Sequence, residues 1–158
     1  MARLVMQKHG GGRYNPTMER EWYGISAVNK GSRFDISSGN WVVFDYSFVH
    51  TIGCSKTKTS DAAQIRAVVG VAIDAIGRKV VSVEQPPGFV QMAGFKMNAL
   101  VTGSVVAGDP LCNYTTKEGC ARAAVVGEMD SGRVFAQAYG PHSGAASTIP
   151  VLILPWRI

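Results

Sequence analysis

From residue 66 onward the chain is a succession of short Val-, Ile- and Ala-rich runs, cut at close intervals by glycine-containing turns. The runs are Arg66–Asp74, Arg78–Val83, Ala99–Val106, Leu111–Thr116, Arg122–Val126, Arg133–Tyr139 and Ile149–Leu154. Such runs are too short to build an amphipathic helix, but they suit strands that bury a face and then reverse. Many of them in series predict an all-β fold, a compact β-barrel or β-tulip of sandwich-like build. The 18 glycines fit that reading, because tight turns need residues that tolerate positive φ.

The same logic extends upstream. In Trp41–Val49, Val42, Phe44, Tyr46 and Phe48 fall on one face at period two, and the opposite face is mixed. Trp41 and Trp156 are expected in the core. His50–Ser60 reads as an exposed loop, and Asp61–Gln64 has the spacing of a capping box, so a helical turn is expected there. Gln85-Pro-Pro-Gly88 should break the sheet, since proline cannot donate a ladder hydrogen bond. Gly108-Asp-Pro110 and Lys117-Glu-Gly119 are turns, Gly140–Ser147 is a loop, and Val151–Leu154 should be buried on both faces.

Charge divides the chain. Residues 1–33 carry six basic residues against Glu19 and Glu21, while residues 34–158 carry ten basic and nine acidic ones. This suggests a basic N-terminal arm, residues 1–32, ahead of a nearly neutral barrel, residues 33–158. In the arm Lys8–Arg13 includes a flexible Gly10-Gly-Gly12 hinge, and Arg3, Arg13, Tyr14, Arg20, Trp22 and Tyr23 are the candidate contact residues. Basic residues interleaved with aromatics can stack nucleic-acid bases, but one such cluster with no basic face to extend it does not predict a nucleic-acid role. Three widely spaced cysteines favour reduced thiols over a disulfide framework. Leu4-Val-Met6 is too short for a secretory h-region, and the longest apolar run, Ile149–Trp156, contains two prolines, so no membrane role is expected.

No catalytic constellation stands out. His9, His50 and His142 are isolated and no paired-cysteine motif exists, so no metal or cofactor is expected. Gly140-Pro-His-Ser-Gly144 brings His142 and Ser143 together, but adjacent loop residues rarely form a nucleophile–base pair. Gly70–Gly77 resembles the motif in which trimeric dUTP pyrophosphatases use an Asp to position water, here Asp74. The uracil-stacking tyrosine and an Arg-Ser-Ser phosphate motif are both missing. The chain is therefore expected not to be an enzyme.

Taken in order, several segments resemble the small β-barrel proteins that decorate, or cement, the capsids of tailed bacteriophages. They are Ile36-Ser-Ser-Gly39 before Trp41-Val-Val, then Val69–Ile73 before Val80–Val83. Gly108-Asp-Pro-Leu111 follows, then Val126-Gly127, Ala136-Gln-Ala138 and a terminal apolar strand. The arm and the stretch Gln85–Phe95 depart from this pattern. The resemblance implies a homotrimer made in the bacterial cytoplasm and located on the virion's outer surface. There it would bridge neighbouring major capsid proteins. A tail- or fibre-type binding module is the alternative.

Overall fold

The computed structural model describes residues 23–29, 35–45, 53–57, 68–77, 87–113, 116–129 and 134–154. They form β1 (Tyr23–Asn29), β2 (Trp41–Asp45), β3 (Gly53–Lys56), β4 (Val68–Ala72), β5 (Gly88–Val101) and β6 (Pro110–Asn113). β7 (Ala121–Ala123), α1 (Val126–Met129), β8 (Ala136–Ala138) and β9 (Ser147–Ile153) follow. The all-β expectation holds, and α1 is a single four-residue turn. The helical turn expected at Asp61–Gln64 lies outside the described residues, as does Trp156.

The strand pairings close twice. β1, β3, β2, β4 and β5 form one ring of five, and β5, β7, β6, β8 and β9 form another. β5 is common to both. Up to Ala93 it pairs with β1 and β4, and from Gly94 onward with β9 and, at Val101, with β7. Ring closure gives each described strand a neighbour on both sides, which the two edge strands of an open sheet lack.

The sequence reading and the structure part company most at β5. The stretch Gln85–Phe95, expected as an insertion outside the pattern, contributes the first half of the longest strand. Gly94 and the polar residues Gln91, Lys96 and Asn98 interrupt its apolar alternation. At Gly94 φ is +91°, a left-handed conformation that an L side chain would strain, and here β5 passes from one ring to the other. The buried Gln91 braces the turn: its amide donates to the carbonyls of Ala93 at 3.2 Å and Phe95 at 2.8 Å. β1 also lies inside the segment expected as an arm, its Tyr23–Ala27 paired along Ala93–Gly88.

Each ring has its own core. The first packs Ala27, Ile36, Val42, Cys54, Ala72, Ile76 and Val90. The second packs Ala99, Val101, Val105, Leu111, Ala121, Ala136, Ala138, Ile149, Val151 and Ile153, joined by Trp41 and Val71 from the first ring's strands. Trp41, Val42 and Val43 of β2 are thus buried on both faces, and Trp41 lies in the core as expected, while the polar members of the mixed face fall outside the described side chains. Trp41 is the link between rings. Its indole N–H donates to the Leu100 carbonyl at 3.0 Å and its ring meets Phe135 at 4.5 Å between centroids.

Three other expectations need correction. His50–Ser60, expected as an exposed loop, contains β3, with Cys54, Ser55 and Thr57 buried. The last strand is buried on one face only: Ile149, Val151 and Ile153 point in, while Pro150 and Leu152 are half-buried. Val125 and Val126, expected to end a strand, instead lie past β7 in the exposed turn that includes α1. The three cysteines are buried and none is in a disulfide, as expected, and Cys112 lies opposite Arg122 across the hairpin. Burial raises the Cys120 thiol above its ordinary pKa, against the opposing pull of Lys117 and Lys56.

Candidate functional site

Pro150 sits in mid-strand, and proline has no N–H to give the ladder. Opposite it the register slips: Lys96 pairs with Val151 and Ala99 with Ile149, so Met97 and Asn98 together oppose Pro150. The resulting bulge leaves Met97 54% exposed on the outer wall. Beside it Phe95 meets Tyr139 edge-on, 5.1 Å between ring centroids, and the Tyr139 N–H donates to the Pro150 carbonyl.

The register extends this patch around the second ring. Phe95 pairs with Leu152, Leu152 with Gln137 and Gln137 with Pro110, and the last three stand next along their strands to core residues that point inward. From β5 to β6 that row crosses three strand spacings, roughly 14 Å. It then meets the turn after β7, where the Ala124 N–H donates to the Pro110 carbonyl. Among the described residues, the large apolar side chains most exposed to solvent are Met97, Val106, Val125, Val126 and Tyr139. All five belong to strands or connections of the second ring. Phe95, Met97 and Tyr139 are residue types enriched at interface centres rather than on ordinary solvent-facing sheet.

The turn after β7 is held by one carboxylate. Glu128 receives Arg122 through both oxygens, at 2.5 and 2.8 Å, along with the Val125 N–H at 2.9 Å. The Cys112 thiol lies 3.5 Å from the same group. The Arg122 hydrogen bonds, opposed by desolvation and reinforced by the Val125 N–H, lower the Glu128 pKa to about 2.

The residues singled out from sequence fall differently. Arg3, Arg13, Tyr14, Arg20 and Trp22 lie outside the described residues. Tyr23 opens β1 opposite Ala93, two positions from Phe95 along β5. His142 is not joined to Ser143. Its Nδ1 lies 3.1 Å from the Ser147 hydroxyl, its backbone bridges Val105, and its buried Nε2 has no hydrogen-bond partner. Asp74 accepts the Phe89 N–H at 3.2 Å, fastening the start of β5. Among the described residues no three His, Cys, Asp or Glu side chains cluster as metal ligands, and no helix is long and apolar enough to cross a membrane. Sequence reasoning missed the outer-wall patch. Its one legible signal was Pro150 inside a strand.

The chain matches no protein-family model and no curated protein sequence. Among solved structures it is similar to the crystal structure of the N base of head fiber gp8.5 of bacteriophage phi29. The TM-score is 0.54 at 15% identity, over 87% of this chain and 98% of that one. At that identity the likeness concerns the fold.

Proposed function

We propose that the chain is a structural protein of a bacteriophage particle, docked on the outer surface of the head through the outer wall of the second ring. The observation that carries this reading is the Phe95–Met97–Tyr139 patch, presented by a bulge that Pro150 imposes. The fold it shares with a phage head-fiber base supports the choice of particle. In this reading the protein acts as cement: it lies across neighbouring major capsid proteins and adds many modest contacts, repeated over every copy, without chemistry, cofactor or metal. The basic N-terminal segment, with Arg3, Arg13, Tyr14, Arg20 and Trp22, and Tyr23 at the start of β1, adds further contacts to the same partner.

A second reading has one observation in its favour. Likeness to the base of a head fiber suits a pedestal that carries a distal binding module. Quantitative mass spectrometry of virions purified from the source separates the two. About one copy per coat subunit is the expected result for cement. A handful of copies per particle assigns the pedestal role, and absence from the particle overturns both.

A further inference from the structure

We infer that the turn Ala124–Met129 is a preformed apolar knob, with Val126 at its tip, that inserts into an uncharged apolar pocket on the head protein beneath it. The inference rests on the head-docking reading and names the contact that anchors it.

Three observations converge on this turn. Val126 is 82% exposed, the highest value among the described large apolar side chains, and Val125 beside it is 60% exposed. Exposed valines on a slack loop would lose rotamer and backbone freedom on binding, but this turn has little to lose. The Glu128 carboxylate gathers both Arg122 nitrogens, the Val125 N–H and the Cys112 thiol, while the Ala124 N–H is tied to Pro110. A rigid apolar tip is what binding sites use to limit the ordering cost of association.

The charge pattern chooses the kind of partner. Within Ala123–Met129 the single ionised group is Glu128, and Arg122 neutralises it at the base of the turn. A pocket receiving Val126 therefore meets methyl groups and no uncompensated charge, so an apolar, uncharged socket fits and a phosphate-lined or acidic surface does not. Position supports the same occupant. The knob lies at the end of the row Phe95–Leu152–Gln137–Pro110, so one flat partner surface can cover the aromatic patch and receive the knob together.

The test uses purified protein and heads isolated from the source phage grown without this chain, with binding read by co-sedimentation. Val126→Ser is expected to weaken binding roughly tenfold or more, as loss of an interface anchor does, with its melting temperature unchanged. Val126→Ile should bind like the wild type. Glu128→Gln should weaken binding in the wild-type background and add nothing further to Val126→Ser, because the brace acts only through the knob. If Val126→Ser binds normally while Met97→Ser/Tyr139→Ser does not, the knob is overturned and the docking reading stands. If the wild type itself does not bind, both fall. If Val126→Ser changes self-association by sedimentation and leaves head binding intact, the pocket belongs to a second copy and the assignment to the head is wrong.

Discussion

The two rings are built from the same kind of strand and share one of them, yet they divide labour unequally. The second ring's core borrows Trp41 and Val71 from strands of the first, whereas the first ring's described core is filled from its own strands and the Ile36–Ile76 bridge. The second ring also carries the five most exposed large apolar side chains among the described residues. One ring can therefore put apolar residues outside as well as inside because its neighbour helps to fill its interior. The difference teaches that, in this double barrel, the ring with the apolar outer wall is the one whose interior is completed from the far side of a shared strand.

Removing the link should do the most damage. Trp41→Ala is expected to cost about 3–5 kcal/mol, and the loss should appear in the second ring although the residue belongs to the first. Hydrogen exchange under mild denaturant checks this: β8 and β9 should lose protection along with β2. Protection lost only in β1–β4 would break the comparison. A step lower stands Gly70→Ala, whose Cβ would lie 1.9 Å from the Gln91 carbonyl oxygen where β4 crosses β5. Overpacking of that kind costs about 1–3 kcal/mol, and here it should loosen the first ring more than the second. Gly103→Ala is the control: φ is +81° but the space is open, so only backbone strain of roughly 1–2 kcal/mol is at stake.

The smallest effect is confined to the turn after β7. Glu128→Gln should destabilise the fold by about 1 kcal/mol, held down by solvent screening of a pair near the surface. Its pH dependence has a definite sign. The folded-state pKa is depressed from the ordinary 4.5 to about 2, so the wild type's advantage is complete above pH 4.5. It should fade as the pH falls toward 2, where the folded-state carboxyl takes up its proton. Urea titrations of both proteins at pH 7, 4 and 2.5 measure the convergence. An unchanged gap at low pH would mean that Glu128 is not the charged anchor of the turn.

Much of the barrel was legible because local chemistry and global fold agree at its turns. Gly108-Asp-Pro110 does lead into β6, and Lys117-Glu-Gly119 does separate β6 from β7. β5 was hidden for a physical reason. A strand that changes partners halfway cannot keep one apolar face, so Gly94 and Gln91 read as interruptions when they are the joint and its brace. β2 alternates weakly for a related reason, since Trp41 and Val42 pack into different cores and both its faces start apolar. The candidate surface was less visible still. Phe95, Met97, Tyr139, Pro150 and Leu152 come together only through register, and no spacing along the chain announces them.

Closure of both rings has a further consequence, which would matter most if the protein is displayed in many copies as proposed. Crowded side by side on one surface, copies of a chain with a bare β-edge would meet at very high local concentration and zip together through their backbones. Here each of the nine described strands already has a neighbour on either side. Among the described strands, then, contact between copies would run through side chains rather than through ladder hydrogen bonds, which removes the commonest route to fibre growth.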